Sequence, residues 1–379
     1  MQLPHTPALI LDVAKTAKNI QTASSRAKAL GVQLRPHLKT CKSVPVARLA
    51  LGANWDGVAV STINEAKLFF EAGIKNIRYT PPFAADKLGL VAPLIRNGLH
   101  FGVLLDHIKS LKLLSEQSES LQVPVKVCIE IDCDQNRGGV IPLSEEFWAI
   151  FDDIQQSDYL EFDGIYSYAG KTYSLADKNA RMALIEHHRL VLLKTKNAIE
   201  SKGVYRFNVG MGSSPALHDA ASLAGLTEIC CGVNMFQDLA QVGVNAADVD
   251  DISVSVLASV VQHKQDNGRI YIDAGGLALS QDRSTAEQEK DYGYGLVCNE
   301  KGEPLLDATV IVQSVSQEHG LVMRIDGSPM PPDILAVGSK VRVLPNHVCM
   351  TVSHYDEYHL LNQQGITNDK TWQRTNGWQ

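Results

Sequence analysis

The sequence predicts an α/β protein with a parallel (β/α)8 TIM barrel followed by a C-terminal antiparallel β domain. Eight strand-like runs alternate with helix-like stretches over about 220 residues, which matches the strand number and span of a closed barrel. After about residue 250 helical spacing gives way to β-rich runs and glycine-containing turns. The length of 379 residues suits two domains or a barrel with an appendage. An open doubly wound sheet is the alternative architecture.

The predicted barrel strands are short and rich in β-branched residues, and apolar residues at helical spacing lie between them. The strands are Val32–Leu38, Gly57–Ser61, Asn76–Thr80, Phe101–Leu105, Val125–Ile131, Phe162–Tyr168, Tyr205–Val209 and Thr227–Cys231. The helices are Val13–Leu30, Ile63–Ala72, Ala84–Arg96, Ile108–Glu116, Ser144–Ile154 and Asp177–Lys202. Gly31, Gly52 and Gly73 closely follow helical stretches, where a helix end favours a residue that tolerates a left-handed backbone.

Beyond residue 250 the pattern predicts antiparallel strands joined by short turns such as Asp266-Asn267-Gly268. The strands are Ile252–Val261, Arg269–Asp273, Thr309–Val315, Leu321–Arg324, Lys340–Leu344 and Thr351–Tyr355. We therefore predict a barrel domain over residues 5–250 and a β domain over residues 251–379, with the option that N-terminal residues join the β domain.

The composition argues against several classes of protein. Lys and Arg number 35 against 42 Asp and Glu, a net charge of −7, which offers no basic surface for nucleic acid. The N-terminus lacks a basic region followed by an apolar run, and no apolar stretch reaches the roughly 20 residues that span a bilayer. Seven cysteines without CxxC spacing indicate neither a disulfide framework nor a zinc ribbon. We expect a cytoplasmic enzyme of small molecules, with no nucleic-acid or membrane partner.

The first predicted strand leads into Arg35-Pro36-His37-Leu38-Lys39. A lysine at the carboxyl end of a barrel strand can point into the barrel mouth, where partial desolvation favours a neutral amine that forms a Schiff base with a carbonyl. Strand alternation puts Arg35, His37 and Lys39 on one face. Because unpaired buried charge is costly, these groups require a compensating anion or ligand. The alternative is that Lys39 is a solvated loop lysine.

Two glycine-containing segments follow the seventh and eighth predicted strands, at Asn208–Pro215 and Cys231–Phe236. Glycine lets backbone amides approach an anion closely, and the loops after the last two strands of a barrel often hold a phosphate group. Their spacing matches neither a Walker A nor a dinucleotide-binding motif. A structural turn is the alternative for either segment alone, and their paired placement favours phosphate binding.

Two further strand ends carry polar groups suited to a heteroaromatic ring. The fifth strand leads to Arg137-Gly138-Gly139, and the sixth ends in Tyr166-Ser167-Tyr168. An arginine and phenols at these positions could hold a phenolate oxygen and the ring nitrogen. Core tyrosines with satisfied hydroxyls are the alternative.

A possible metal pair occurs in the predicted β domain, where Pro345-Asn346 precedes His347-Val348-Cys349. On an extended strand, residues two apart share a face, so His347 and Cys349 could reach one metal ion. Considered alone, such a pair is more commonly a small buried contact.

Taken together, these segments resemble the D-threonine aldolase and D-serine dehydratase family, which is similar in fold to alanine racemase. The resemblance rests on Arg-Pro-His-x-Lys-Thr at residues 35–40, Asp132–Gly138, Gly210–Pro215 and the loop at Gly232. It implies a fold type III pyridoxal-phosphate enzyme, usually dimeric, in which Lys39 carries the cofactor. Arg137 and Tyr166 would then contact the cofactor ring. The residues implied around its phosphate are Gly212, Ser213, Gly232, Val233 and Asn234.

The resemblance also implies that His347 and Cys349 bind a divalent metal. Aldolase-type members typically carry an aspartate as the second ligand, whereas a thiolate favours zinc, as in D-serine dehydratases. Cys349 therefore favours dehydration, although the related dehydratases of D-threo-3-hydroxyaspartate could use another divalent ion. Cys41 replaces a histidine common in the family, which should spare the Schiff base but could alter the substrate pocket. Asp273 and Asp282 fit the family pattern or, equally, cap turns.

The predicted function is a pyridoxal-phosphate- and metal-dependent lyase that eliminates water and ammonia from a D-3-hydroxy amino acid such as D-serine or D-threo-3-hydroxyaspartate. Lys39 would remove the α-proton, and the metal on His347 and Cys349 would activate the β-hydroxyl. The main alternative is retro-aldol cleavage to glycine and an aldehyde. A racemase, a non-catalytic pyridoxal-phosphate-binding protein and a pure interaction protein are remoter alternatives. We expect a homodimer.

Overall fold

The computed structural model describes residues 3–52, 57–264, 266–331, 333–362 and 365–379. The chain folds into two compact units. The barrel unit contains Thr22–Gly232 with Thr375–Gln379, and the β unit contains the residues up to Gln21 with Val233–Arg374. The central passage from the barrel unit into the β unit follows Gly232, whereas the sequence pattern changes near residue 250. The reason is that Val233–Asp251 consists of short helices, which carry no β-strand pattern.

The strands and helices have the following bounds. The strands are β1 (Ala8–Asp12), β2 (Gln33–Pro36), β3 (Val58–Val60), β4 (Asn76–Pro82), β5 (His100–Leu105), β6 (Val125–Glu130), β7 (Leu160–Tyr168), β8 (Asn208–Gly212), β9 (Glu228–Cys231), β10 (Val254–Lys264), β11 (Arg269–Ile272), β12 (Leu296–Asn299), β13 (Val310–Val315), β14 (Gly320–Arg324), β15 (Lys340–Leu344), β16 (Glu357–Asn362) and β17 (Gly365–Gln373). The α-helices are α1 (Val13–Ala29), α2 (Val44–Leu51), α3 (Ile63–Glu71), α4 (Leu88–Arg96), α5 (Ile108–Leu121), α6 (Glu145–Gln156), α7 (Lys178–Glu200), α8 (Ser214–Asp219), α9 (Leu239–Gly243), α10 (Gly276–Leu279) and α11 (Val348–Val352).

The barrel unit is built on a parallel sheet of eight strands in the described residues, in the order β2-β9-β8-β7-β6-β5-β4-β3. A bridge between His37 and Ala59 links the two end strands, and the amide of Leu38 donates to the carbonyl of Ala59 at 2.8 Å. The sheet is therefore a nearly closed barrel, and the predicted (β/α)8 fold class is confirmed. Each of the eight predicted strands overlaps one of these strands.

The barrel interior holds an apolar cluster to which five strands contribute. Its buried members are Ala59, Leu104, Cys128, Tyr166 and Cys230. Because side chains alternate along a strand, this cluster identifies the inward-facing positions of β3, β5, β6, β7 and β9. The side chains of Tyr166 and Cys128 thus point to the barrel axis.

A buried ion cluster also lies inside the barrel unit. Glu228 accepts hydrogen bonds from Arg78 and from Nε of Arg35, the latter at 2.9 Å. Arg78 also donates to Oδ2 of Asp163 at 2.6 Å. Burial raises the pKa of Glu228, but Arg78 and Arg35 outweigh it and lower the pKa to about 2. Glu228 is therefore the compensating anion that the sequence requires for Arg35.

The helices begin and end where local side chains satisfy their backbone. Asp177 caps α7, since its Oδ1 accepts from the amide of Ala180 at 2.7 Å. Thr62 caps α3 in the same way by accepting from the amide of Glu65. Gly31 follows α1 with φ of +73°, as predicted for a glycine at a helix end.

The β unit contains a sheet of nine strands among the described residues, in the order β11-β14-β13-β12-β15-β10-β1-β16-β17. Most pairs are antiparallel, which confirms the predicted antiparallel β domain. β1 lies inside the sheet, antiparallel to β10 and parallel to β16. Its apolar run Leu9-Ile10-Leu11 is fully buried, so it has no polar alternation by which a sequence pattern would reveal a strand.

The predicted strand Thr351–Tyr355 is wrong, because α11 occupies Val348–Val352. Its β-branched residues favour a strand locally, but the carboxylate of Asp238 accepts from the amide of Val348 at 3.0 Å and starts a helix. His347 stands at the N-cap of this helix. The expectation that His347 and Cys349 share an extended strand is therefore wrong as well. Within the described part of the chain, no helix has the length and apolar character needed to cross a membrane.

Candidate active site

Lys39 lies in the turn that follows β2 and is partly buried. Its amide donates to Nδ1 of His37 at 3.4 Å, and Nε2 of His37 lies 2.8 Å from Oγ1 of Thr80. Burial lowers the pKa of His37 well below its usual range, and the charges of Lys39 and Arg137 lower it further. The imidazole beside Lys39 is therefore neutral at pH 7. Since β2 ends at Pro36, Lys39 does not continue the strand alternation that the sequence suggests.

A buried ion pair fixes the far end of this turn. Lys42 has φ of +46°, and its amide donates to the carbonyl of Leu38 at 2.8 Å. Nζ of Lys42 lies 3.3 Å from Oε1 of Glu65, a fully buried side chain whose other oxygen accepts from the amide of Ser61 at 2.9 Å. The backbone around Lys39 is thus held at both ends.

Gly212 and Ser213 lie where β8 ends and α8 begins. β8 includes Gly210–Gly212, so these glycines belong to the strand and not to the loop that the sequence suggested. Oγ of Ser213 lies 2.6 Å from Oγ1 of Thr172 and accepts from the amide of Ala216 at 3.0 Å. The hydroxyl of Tyr173 accepts from the amide of Ser214 at 3.1 Å. Thr172 and Tyr173, which no sequence pattern marked as site residues, lie in a short 3-10 helix after β7.

Gly232 follows β9, which pairs with β8, so it belongs to the same end of the barrel sheet. A Cβ at this position would lie 2.5 Å from the carbonyl oxygen of His37 and 2.7 Å from Oγ1 of Thr40. Only glycine fits so close to the turn that carries Lys39. Hydroxyl groups and close backbone are features that suit a phosphate group.

Val233 and Asn234 begin the β unit, in a 3-10 helix over Val233–Met235. Asn234 is 9% exposed, and in the described structure its Oδ1 has no hydrogen-bond partner. Unpaired buried polar atoms are rare in native proteins, so this amide fits a position that a ligand completes.

Tyr166 and Arg137 occupy the barrel differently. Tyr166 is 5% exposed, and burial raises the pKa of its hydroxyl well above the usual range, so the phenol stays protonated. Arg137 is exposed, with its guanidinium 4.8 Å from the ring centroid of Tyr168. Such a placement is favourable for a cation over an aromatic face.

Glu130 is a buried acid at the C-terminal end of β6 that was not among the predicted site residues. Burial raises its pKa to about 7, Arg137 opposes the rise, and Asp106 and Asp132 add to it. The sequence could have revealed it through the alternation of side chains along β6, which puts Glu130 on the same inward face as Cys128. A carboxyl group that titrates near neutral pH is a candidate acid or base.

His347 and Cys349 lie together in the β unit with Asp282 beside them. Nδ1 of His347 lies 3.1 Å from Oδ2 of Asp282. Burial lowers the pKa of His347, but hydrogen bonds with Asp282 and Cys349 raise it well above its usual value. Asp282 also accepts from the amide of Ser284 at 2.8 Å, so it caps a turn as well as holding the imidazole. Asp273 instead accepts from Thr6 and from the amide of Ser259.

The donor pair has the chemistry of a zinc site, because imidazole nitrogen and thiolate sulfur are the ligands that zinc prefers. Across the residues that the structure describes, no group of three or more His, Cys, Asp or Glu side chains is arranged to hold a metal ion. The residues present therefore fit two of the ligands that a divalent ion needs.

Comparisons with known proteins match both units of the chain. The family model "Alanine racemase, N-terminal domain" matches residues 11–239, and "Putative serine dehydratase domain" matches residues 253–361. The chain belongs to the alanine racemase-like family of fold type III pyridoxal-phosphate enzymes. The family resemblance seen in the sequence is thus confirmed.

Several relatives that match nearly the whole chain are dehydratases or aldolases, which are lyases. D-threo-3-hydroxyaspartate dehydratase of Delftia sp. (strain HT23) is 34% identical over 376 residues, 98% of this chain and 98% of that protein. D-serine dehydratase of Dictyostelium discoideum is 28% identical, covering 94% and 93%. D-threonine aldolase of Arthrobacter sp. is 28% identical, covering 96% and 90%. A solved structure of a D-threo-3-hydroxyaspartate dehydratase mutant in the metal-free form has a TM-score of 0.94 at 33% identity, covering 100% of both chains.

Proposed function

We propose that this protein is a pyridoxal-phosphate- and metal-dependent dehydratase of a D-3-hydroxy amino acid, either D-threo-3-hydroxyaspartate or D-serine. The products would be ammonia and the corresponding 2-oxo acid. The observation that carries the proposal is Cys349 beside His347 in a chain 34% identical to a D-threo-3-hydroxyaspartate dehydratase along 98% of its length. A thiolate at this position favours dehydration over aldol cleavage by the ligand preference of zinc.

The residues that would hold pyridoxal phosphate come from several strand ends. Lys39 would carry the aldehyde carbon, Tyr166 and Arg137 would contact the ring, and the phosphate would be surrounded by glycine backbone, Ser213 and Asn234. The phosphate residues are Gly212, Ser213, Gly232, Val233 and Asn234. When bound, the cofactor supplies an electron sink for the carbanion at the substrate Cα. The close backbone at Gly232 and the unpaired amide oxygen of Asn234 support this assignment.

The chain's own groups supply the proton transfers. Nζ of Lys39 would remove the proton from the substrate Cα, and the neutral imidazole of His37 next to it adds no second positive charge. The Tyr166 phenol can donate a hydrogen bond because its raised pKa keeps the proton in place. Glu130, with a pKa of about 7, can hold or release a proton at physiological pH.

A divalent metal, which we propose to be zinc, would be held by His347 and Cys349 and would act as a Lewis acid toward the β-hydroxyl. The hydrogen bond between Asp282 and Nδ1 of His347 supports this role, because a carboxylate on the other ring nitrogen orients an imidazole ligand. A mutant of a D-threo-3-hydroxyaspartate dehydratase is described as being in the metal-free form, which supports the proposal of a metal site.

Product analysis tests the dehydratase proposal. Purified protein is incubated with D-threo-3-hydroxyaspartate, D-serine and D-threonine, and ammonia with 2-oxo acid is measured against glycine with aldehyde. We expect ammonia and 2-oxo acid from at least one of the first two substrates. Glycine as the main product would overturn the proposal in favour of the aldolase, which the similarity to D-threonine aldolase of Arthrobacter sp. supports as the second candidate. Lys39→Ala serves as the inactive control.

Two accompanying features stay predictions. A homodimer is tested by light scattering of the purified chain, in which a mass near twice 41.4 kDa is expected. A cytoplasmic location is tested by fractionation of the native cells.

A further inference from the structure

A buried chain of polar side chains joins three elements of the barrel unit. Nδ1 of His188, on α7, lies 2.8 Å from Oγ of Ser167 on β7. Nε2 of the same ring lies 3.4 Å from Oδ2 of Asp134, in the loop after β6. His188 is 0% exposed and Ser167 1%. Nε2 of His188 and Oδ2 of Asp134 have no hydrogen-bond partner in the described ranges, so the 3.4 Å contact between these two atoms is what joins the side chains.

The position of the imidazole hydrogen follows from the charges of the groups on either side of the ring. Burial lowers the pKa of His188, and although Asp134 opposes it, the net shift is downward. The neutral imidazole therefore has a single N–H. Because a carboxylate only accepts, that hydrogen belongs on Nε2, and Nδ1 accepts from the hydroxyl of Ser167.

These are the residue types of a hydrolase triad, but the arrangement cannot act as one. Both Ser167 and His188 are sealed from solvent, so no substrate can reach the hydroxyl. We therefore look for its role in the backbone segment that these side chains hold in place.

The buried polar side chains hold the short loop segment that contains Cys133 and Asp134 and leads to Arg137. Two further side chains grip the same backbone: Nε2 of His187 lies 2.9 Å from the carbonyl oxygen of Cys133, and Nζ of Lys171 donates to that of Asp134 at 2.6 Å. Three residues later the guanidinium of Arg137 lies over the ring of Tyr168, which is on the same strand as Ser167. Because Arg137 is exposed, little packing fixes its side chain, and its position depends on this backbone.

We propose that His188 is a positioning residue for Arg137, which it orients toward the cofactor ring by tying Asp134 to Ser167. The inference rests on the proposed function, since it assumes that Arg137 contacts pyridoxal phosphate. It adds to that function a buried group which touches neither cofactor nor substrate.

A matched pair of substitutions separates the contact of His188 with Ser167 from its contact with Asp134. The amide of His188→Asn can occupy the place of Nδ1 and keep Ser167, but it cannot reach Asp134. The longer His188→Gln can reach the place of Nε2 and keep Asp134. Thr195→Val is the structural control, because Thr195 is equally buried on α7 and its hydroxyl donates to Val191 of the same helix at 2.9 Å.

Two measurements are made on each variant. The first is amide hydrogen exchange of residues 132–139 in protein without cofactor, and the second is the dissociation constant of pyridoxal phosphate by absorbance titration. We expect His188→Asn to speed exchange in this segment alone and to raise the dissociation constant about tenfold, a size typical of one lost hydrogen bond. His188→Gln should restore most of both values, and Thr195→Val should change neither. Unchanged values in His188→Asn, or equal changes in Thr195→Val, would overturn the proposal.

A double-mutant cycle tests whether the effect passes through Arg137. In an Arg137→Ala background, His188→Asn should add no further loss of cofactor affinity, because the group that it positions is gone. Additive losses would contradict the proposal and show a general effect on the barrel. If the wild-type protein binds no pyridoxal phosphate, the proposed function fails, and the exchange data alone then decide whether His188 holds the segment.

Discussion

The ring of Tyr166 occupies the space that a side chain on Gly212 would need. A Cβ built on Gly212 would overlap the hydroxyl of Tyr166 and lie 2.8 Å from its Cζ and 3.2 Å from Cδ2 of Tyr168. β7 and β8 pair with Tyr166 opposite Gly210 and Tyr168 opposite Gly212, so the two glycines allow both tyrosines to lie against β8. One close approach thus joins the residues proposed to surround the phosphate to those proposed to contact the ring.

Gly212→Ala should therefore displace Tyr166 and weaken cofactor binding. We expect the dissociation constant of pyridoxal phosphate to rise at least about tenfold, since the new methyl group has no space and the phenol must move. Absorbance titration measures this change. Gly89→Ala is the matched control, because a Cβ at Gly89 in α4 meets nothing within 4 Å and alanine favours the helix. An unchanged affinity in Gly212→Ala would contradict the assignment of Tyr166 to the ring.

Lys39→Ala should abolish covalent attachment of the cofactor. Borohydride treatment of wild-type protein with pyridoxal phosphate, followed by peptide mass spectrometry, should label the peptide that contains Lys39, because a reduced Schiff base is stable. Lys109→Ala, an exposed lysine of α5, should keep the label. A label on another lysine in the wild-type protein would disprove the proposed role of Lys39.

Glu130 should make the cofactor-free protein lose stability as the pH rises toward neutrality. Its pKa is raised from 4.5 to about 7 on folding, so its contribution is full below 4.5 and is lost as the pH rises through 7. Glu130→Gln removes this dependence, and the difference in unfolding free energy between wild type and variant should change by about 3 kcal/mol between pH 4 and 8. Urea unfolding across this range measures it. A difference that stays constant would show that Glu130 titrates normally.

Glu228→Gln should strongly destabilise the barrel. The substitution leaves the buried guanidinium of Arg35 without its carboxylate and that of Arg78 with Asp163 alone, which costs about 3 kcal/mol or more. Chemical unfolding measures the loss. Glu161→Gln breaks the exposed pair with Lys126, 3.3 Å apart, and should cost less than about 1 kcal/mol. Similar losses in the two variants would contradict the importance of the buried cluster.

Cys349→Ala should remove most of the bound divalent metal. Wild-type protein is expected to contain about one zinc ion per chain, and loss of a thiolate ligand leaves too few donors to retain it. Elemental analysis after dialysis against metal-free buffer gives the content directly. Cys298→Ala, which alters a buried cysteine in an apolar cluster, should lower stability but leave the metal content unchanged. An equal metal content in Cys349→Ala and wild type would show that Cys349 is not a metal ligand.

The sequence predicted elements well where the hydrophobic pattern is local. Every barrel strand was found because parallel strands buried on both faces appear as short apolar runs between helices. Prediction failed at α11, where the carboxylate of Asp238, more than a hundred positions away, caps a helix against local β-propensity. It also failed at β1, whose uniform burial leaves no alternation to detect.

The candidate site divides in the same way. Lys39, Arg137 and Tyr166 stand out in the sequence because each follows or ends a strand, and strand ends of a barrel meet at one rim. Glu130 and His188 do not, because the burial of Glu130 and the contacts of His188 with Ser167 and Asp134 arise only in the folded chain.

The sequence by itself determines the succession of strands along the chain, the family motifs and the identities of the candidate ligands. Short-range periodicity and residue chemistry encode all three. Burial, by contrast, is a collective property of the folded chain. Only tertiary packing could raise the pKa of Glu130 to about 7, bring Asp282 to His347 and enclose His188 between Ser167 and Asp134. Desolvation and long-range hydrogen bonds exist only once distant segments have met.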